Sequence, residues 1–218
     1  MPFAVIFAMD GVLIDTNEYI WGTFKEVMQE NNVALHDHEM VHYRGKSWKD
    51  VLHQWKVAHG FEISLPAFAQ RIAEKELAAF DASKHLIPGV KEFLSLLQSH
   101  HIPMAVGTSS HAERAEIMLA KAGILPFFDA IASASDVSRH KPSPDIFLAA
   151  AKKLNVTPEN CIVFEDAPAG VQAAHAAGMK CVGYLDFRAS PGELVAADIV
   201  ITTYSDISIS RLEKLVMR

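Results

Sequence analysis

Four short stretches of this 218-residue chain carry side chains that could do chemistry together, each where an apolar or small-residue run gives way to a turn. The run Phe3-Ala4-Val5-Ile6-Phe7-Ala8-Met9 is cut off by Asp10 and Gly11, ahead of Val12-Leu13-Ile14-Asp15-Thr16. Such a run reads as a buried parallel strand that delivers a carboxylate to the carboxyl edge of a sheet, where open α/β folds bind ligands. Val106-Gly107-Thr108-Ser109-Ser110 is a small-residue and hydroxyl turn entering a helix, and it offers backbone N–H groups and a hydroxyl to an anion. In Arg139-His140-Lys141-Pro142-Ser143-Pro144-Asp145 the prolines stiffen the loop that aims Lys141, and a fixed ammonium near a phosphate is a recurrent electrostatic clamp. Phe164-Glu165-Asp166-Ala167-Pro168-Ala169-Gly170 sets two carboxylates side by side, and hard oxygen ligands beside a phosphate site suit Mg²⁺.

Each stretch has an ordinary alternative. An acid before a glycine is common turn chemistry, Ser and Thr are frequent helix caps, Lys141 could be a solvated loop charge, and adjacent acids can cap the helix that follows. Four such features at four strand ends are hard to ascribe to caps alone.

The elements that must position these residues follow from hydrophobic periodicity. From Asn17 to about Asp81 there is no convincing strand, only helical patterns: Tyr19, Ile20, Thr23, Phe24 and Val27 on one face, then Trp48, Val51, Leu52 and Trp55, then Leu65, Phe68, Ile72, Ala73 and Leu77. Aromatic stripes at that spacing read as bundle core. From Leu86 onward strands alternate with helices. The strands are expected at 102–107, 130–133, 161–164, 181–184 and 199–202; the helices at 88–97, 112–122, 144–154, 169–177, a short one near 192–196, and 207–216. That alternation implies right-handed parallel crossovers and a doubly wound α/β sheet. The expected organisation is an α/β core of residues 1–15 and 86–218, with an all-helical insertion, 16–85, hanging off the first strand as a cap over the carboxyl edge of the sheet.

Composition sets the outer bounds. Half of the residues are hydrophobic and 21% are charged, as for an ordered globular protein of one large and one small domain. A net charge of -6 without a basic stripe argues against a nucleic-acid partner. The N-terminal run lacks a basic leader and meets Asp10 early, so neither a signal peptide nor a membrane span is expected, and cytoplasmic location is the simplest reading. Cys161 and Cys181 each begin a strand-like run and are expected to be buried, reduced thiols. Eleven histidines are scattered without metal-ligand spacing. The oligomeric state is left open, with a monomer favoured.

The phrases FAMDGVLIDT, VGTSS, RHKPSPD and FEDAPAGVQAA resemble, in order, the four signature motifs of the haloacid dehalogenase superfamily, most closely its beta-phosphoglucomutase-like and sugar-phosphatase subgroup with a helical cap after the first motif. The resemblance spans essentially the whole chain. A two-component receiver domain also joins Asp, Thr and Lys on a doubly wound sheet, but it is shorter and has no such cap. The resemblance implies that Thr108 and the Ser109 backbone bind the transferring phosphoryl group and that Lys141 neutralises its charge. Glu165 and Asp166 would hold Mg²⁺, directly or through water, with the Asp10 carbonyl as a further ligand. Asp10 would be the general acid and base, and Asp15-Thr16 and the region 82–88 would be the hinges of the cap. The implied activity is Mg²⁺-dependent hydrolysis of a small phosphorylated metabolite, a sugar or polyol phosphate, through an aspartyl-phosphate.

One residue departs from the pattern. The family's first motif is Asp-x-Asp-Gly, whose first Asp is both nucleophile and Mg²⁺ ligand, and here that position is Ala8. A methyl group does neither job, so the chain as written is expected to be catalytically impaired. Either the nucleophile was replaced in an otherwise intact enzyme, or the chain is a natural pseudoenzyme that binds a phosphorylated ligand without turning it over. In the insertion, Arg44, Lys46 and Lys49 are candidates for a second anionic or polyol end of the substrate, Arg as a bidentate partner and Lys as a point charge. The mutases of the subgroup carry a cap His at the position that Ile20 occupies here, which favours hydrolysis over mutase chemistry. A Schiff-base role for Lys46 or Lys49, as in phosphonoacetaldehyde hydrolases, stays open.

Overall fold

Ala4–Phe7 forms the first strand, β1, and all four of its residues are buried because both of its faces are covered. The structure, a computed structural model, describes residues 3–36, 39, 48–60, 62–186, 189–190 and 192–217. In chain order, β1 is followed by helices α1 (Asn17–Glu30), α2 (Trp48–His59), α3 (Leu65–Ala79), α4 (Ala82–His85) and α5 (Val90–Ser99). Then come β2 (Met104–Gly107), α6 (Ala112–Lys121), β3 (Ala130–Ala132), α7 (Asp145–Leu154), β4 (Cys161–Glu165), α8 (Pro168–Ala176), β5 (Lys180–Tyr184), β6 (Ile199–Ile201) and α9 (Ile209–Val216). The chain divides into two compact units, Met1–Asp15 with Ala82–Arg218, and Thr16–Asp81.

In the first unit the described strands make a six-stranded sheet in the order β3-β2-β1-β4-β5-β6, parallel at every pairing. The sequential strands run outward from β1 in one direction and from β4 in the other, so the order reverses between β1 and β4. In doubly wound sheets, that reversal opens the crevice at the carboxyl ends where ligands bind. Alternate side chains of β1 serve opposite faces. Ala4 and Ile6 join Phe147, Ala150, Val163 and Val171 in one core layer. Phe7 instead stacks on Phe164 at 5.0 Å, and Phe164 and Phe93 both pack on Tyr204. Each large apolar side chain buried in this way contributes about 1.5–3 kcal/mol. Cys161 and Cys181 are free and buried, and burial pushes the Cys161 thiol up to about 12 and raises Cys181 as well.

The second unit holds helices α1, α2 and α3 and no strand among its described residues. Its core gathers Val27, Met28, Leu52, Trp55, Phe68 and Ile72, with Phe24 edge-on to Trp55 at 5.1 Å. Arg71 grips both oxygens of Glu30 at 2.8 and 2.7 Å and ties α3 to α1.

Three details differ from the pattern read in the sequence. Residues 82–85 belong with the sheet unit: Asp15 N–H donates to the His85 carbonyl at 2.7 Å and Ile14 bridges Leu86, so the two crossing segments are stitched together there. Residues 192–196 form turns instead of a helix. Leu194 alone is anchored in the core while Val195 is 83% exposed, and five residues beginning at a glycine are too few to repay helix nucleation. Leu65 is 37% exposed, because it is the first residue of α3 and precedes the stripe that Phe68 and Ile72 bury.

Candidate active site

The sheet's carboxyl edge is built by where each strand stops. β1 ends at Phe7, but Ala8 still donates its N–H to the Phe164 carbonyl at 2.9 Å and stays in line with β4. The backbone then folds on itself: Met9 accepts from Leu13 and Ile14, and Gly11 N–H donates to the Ile14 carbonyl at 2.8 Å. Gly11 adopts φ +74°, and a Cβ there would lie 1.9 Å from Asp166 Oδ2. The glycine is therefore required both by the turn and by the carboxylate seated against it. The buried Tyr204 hydroxyl braces the loop by donating to the Val12 carbonyl at 2.8 Å.

Asp10, presented by this loop, is held at both oxygens. Arg114 Nη2 donates to Oδ1 at 3.0 Å and Nη1 to Oδ2 at 3.2 Å, while the Ser110 hydroxyl donates to Oδ2 at 3.3 Å. Arg114 Nη1 also donates to Ser110 Oγ at 2.6 Å. A guanidinium forked onto a carboxylate fixes direction as well as charge. Neither residue was singled out from the sequence. Ser110 stood inside the hydroxyl turn, and Arg114 lies in the first turn of α6, just after the extended N-cap His111, from where its side chain reaches back to the turn.

β2 ends in Gly107, and Thr108 follows it, buried, with its N–H donating to the Ala132 carbonyl at 2.9 Å. Thr108 Oγ1 accepts from Ser110 N–H at 3.1 Å, which leaves its own proton to donate elsewhere. Ser109 is exposed. The loop after β3 carries Lys141, whose Nζ donates to Glu165 Oε1 and sits 3.4 Å from the Gly107 carbonyl. Glu165 Oε2 accepts the backbone N–H groups of Asp166 and Ala167 at 2.9 and 3.0 Å. A Cβ on Gly170 would come within 2.0 Å of Glu165 Cδ, so that glycine in the first turn of α8 makes room for the buried carboxylate.

Both Glu165 oxygens are thus engaged, whereas the Asp166 carboxylate takes no side-chain hydrogen bond or ion pair among the described residues. Desolvation, then the neighbouring Glu165 charge, push the Asp166 carboxyl well above the usual carboxylate range; Lys141 opposes the shift and Asp10 adds to it. Ala8 is 4% exposed beside these groups in the sheet. No cluster of three or more His, Cys, Asp or Glu side chains is placed to hold a metal ion among the described residues.

The sheet unit therefore brings Asp10, Thr108, Ser109, Lys141, Glu165 and Asp166 to one edge, with Ala8 at the end of the central strand. Arg44 and Lys46 lie outside the described residues, as does the Lys49 side chain. Ile20 is a half-buried residue of α1 in the other unit.

A parallel sheet in this order, with an acid loop, a hydroxyl turn, a lysine and a paired carboxylate at successive carboxyl ends, defines a class of hydrolases. The chain belongs to the haloacid dehalogenase-like hydrolases, whose family model matches residues 5–184. It is 33% identical over 186 residues to fructose-1-phosphate phosphatase YqaB of Escherichia coli (strain K12), covering 82% of this chain and 94% of that protein. It is 29% identical over 218 residues to the beta-phosphoglucomutase of Bacillus subtilis (strain 168), covering 97% and 94%. Among solved structures, beta-phosphoglucomutase from Clostridium difficile superposes with a TM-score of 0.80 at 26% identity, covering 100% of this chain and 98% of that one. No described helix is long and apolar enough to cross a membrane.

Proposed function

We propose that this scaffold is a Mg²⁺-dependent phosphatase of small phosphorylated metabolites, sugar or polyol phosphates, and that the chain as written is impaired at its nucleophile position, Ala8. The observation that carries the reading is the convergence of Thr108, Lys141 and Asp10 on one sheet edge, beside the Asp166 carboxylate, which takes no side-chain partner among the described residues. The sugar-phosphate phosphatase named above adds support for the substrate class.

In this reading, Thr108 Oγ1–H and the Ser109 N–H donate to phosphoryl oxygens at the start of α6, and the Lys141 ammonium offsets their charge. Asp10 gives a proton to the leaving oxygen as its bond to phosphorus breaks, and later takes one from the attacking water. The covalent step needs a carboxylate oxygen at position 8 to form the new bond to phosphorus, and Ala8 has none. The donor set suits Mg²⁺, which binds through one or two carboxylates and keeps several waters. Asp166 would hold it with the Asp10 carbonyl, and Glu165 would act through water. When bound, the ion would screen negative charge between substrate and protein. The substrate's second anionic or polyol end falls to Arg44, Lys46 and Lys49. Ile20 in place of a His speaks for water over a sugar hydroxyl as acceptor, although a beta-phosphoglucomutase is among the relatives.

The test is the Ala8→Asp change, followed by a screen of phosphomonoesters with Mg²⁺. Phosphate release should rise by several orders of magnitude over the chain as written. A folded variant that releases phosphate from none of them would end the proposal. Ala8 itself favours a second reading, a binding protein that retains a phosphorylated ligand; tight binding without turnover, in a chain whose native gene encodes alanine there, would establish it.

A further inference from the structure

Phe147 takes no part in the reaction proposed above, yet the Lys141 ammonium rests on its ring. Phe147 is fully buried in the first turn of α7, and Lys141 Nζ lies over the ring face at 4.8 Å from the centroid. A Cβ on Gly107 would meet two ring carbons of Phe147 at 3.0 and 3.1 Å and Ile6 Cγ2 at 3.2 Å, so the glycine makes the space the ring fills. The carbonyl of the same glycine is 3.4 Å from Lys141 Nζ, and Glu165 Oε1 takes another of its protons. The Lys141 side chain is only 14% exposed, so these contacts are partly shielded from water.

Core filling alone would explain a large apolar residue here, since Phe147 packs with Ile6, Ala150 and Val163. A leucine would serve that purpose. What it lacks is the negative ring face that attracts a cation. The distinction matters for a phosphate-binding ammonium. A carboxylate such as Glu165 fixes the ammonium but also cancels its charge, whereas an aromatic ring attracts it while carrying no net charge.

We propose that Phe147 is a positioning residue whose ring face, seated against Gly107, helps fix the Lys141 ammonium at the phosphoryl site beside its Glu165 partner, through a contact that itself cancels none of the ammonium's charge. This rests on the reading that Lys141 meets the phosphoryl group. The experiment replaces Phe147 with mono-, di- and trifluorinated phenylalanines, which keep the ring's shape and progressively remove its negative face. Two quantities are followed in the chain with Ala8 as it stands: the Kd for inorganic phosphate by calorimetry, and the order parameter of the Lys141 Cε by NMR.

The Kd should weaken stepwise, reaching about fivefold to tenfold with the trifluoro ring, and the Cε order should fall in step while the melting temperature holds. Phe147→Leu should show the same loss; if it fails to fold, the fluorinated series carries the comparison. A Kd and a Cε order that stay constant across the series would overturn the inference and return Phe147 to core filling. Lys141→Met separates the two ideas. If the parent binds no phosphate, or binds it equally with Lys141→Met, the assignment of Lys141 to the phosphoryl group fails, and the Cε order alone then decides whether the ring holds the ammonium.

Discussion

Asp10 is gripped by a residue that lies outside all four motif phrases, and this makes Arg114 the sharpest side-chain test of the site. If Asp10 is the acid and base proposed above, it must present one oxygen in a fixed direction, and the Arg114 fork with Ser110 sets the direction of the whole carboxylate. In the Ala8→Asp background, Arg114→Ala should lower kcat by about tenfold, because misplacing a catalytic group by even a fraction of its reach is costly, with little change in KM. Arg114→Lys should not restore it, since an ammonium cannot span both oxygens. Steady-state kinetics on the best substrate would decide, and unchanged kcat in Arg114→Ala would refute the role. Asp10, Thr108, Lys141 and Asp166 were legible in the sequence because each ends a strand-like run or sits in a punctuated turn. Arg114 was not, because a helix surface residue announces nothing until the turn before it is seen to aim that face at the site. Phe147 was hidden for the opposite reason: a phenylalanine in an apolar helix looks like core, and it is core as well.

Helices and strands hold the site through places where side chains are missing as much as through those present. Gly170 lets the first turn of α8 close over Glu165, so Gly170→Ala must displace that carboxylate, with its Lys141 partner and its two backbone donors. The expected cost is about 1–3 kcal/mol, read from urea unfolding as a lower midpoint at unchanged slope. A second element-level tie joins the turn after β3 to α7. Asp136 accepts from Ser133 N–H and Oγ at 2.8 and 3.0 Å and pairs with Lys153 at 2.7 Å, and these contacts, Lys153 first, hold its carboxyl below its ordinary value of 3.8. A carboxyl depressed in the folded state adds stability above its unfolded pKa and loses it as pH falls through the folded one. Asp136→Asn should therefore melt lower than the parent at pH 7, and the gap should close as pH falls below about 4; a gap independent of pH would show that the carboxylate charge is not what stabilises the turn. Most strands were visible as apolar runs because a parallel strand is buried on both faces. The stretch 192–196 misled because one anchored leucine beside a glycine imitates helical spacing over too few residues for the period to mean anything.

For the molecule as a whole, the sheet draws together segments at positions 8–11, 107–114, 141 and 165–166, and their shared edge gathers three carboxylates, Asp10 and Glu165 paired with Arg114 and Lys141 and Asp166 beside them. Alternation of strands and helices made that architecture readable, along with a helical segment after the first strand. The point where the chain returns to the sheet unit, at 82 and not 86, depended on hydrogen bonds between 13–15 and 85–87, which no periodicity encodes. The same gathering of carboxylates yields a stability prediction. Ala8 is buried in line with β4, and Asp166 nearby is already held well above the usual carboxylate range by burial and by Glu165. Introducing a further carboxylate at position 8 without a cation would add a desolvated like charge, at a cost of about 1–3 kcal/mol. For a protein of this size that is a melting point lower by about 2–4 °C per kcal/mol. In a chelator, the chain as written should therefore melt at least as high as its Ala8→Asp variant. Saturating Mg²⁺ should reverse the difference, because an ion bound only to the folded state at free concentration c stabilises by RT ln(1 + c/Kd), and the variant, with one more charged ligand, would have the lower Kd. Parallel melts of both proteins in chelator and across a Mg²⁺ series would test both halves. A clearly lower midpoint for the Ala8 chain in chelator would refute the charge argument, and equal Mg²⁺ shifts in the two proteins would refute the assignment of position 8 to the metal site.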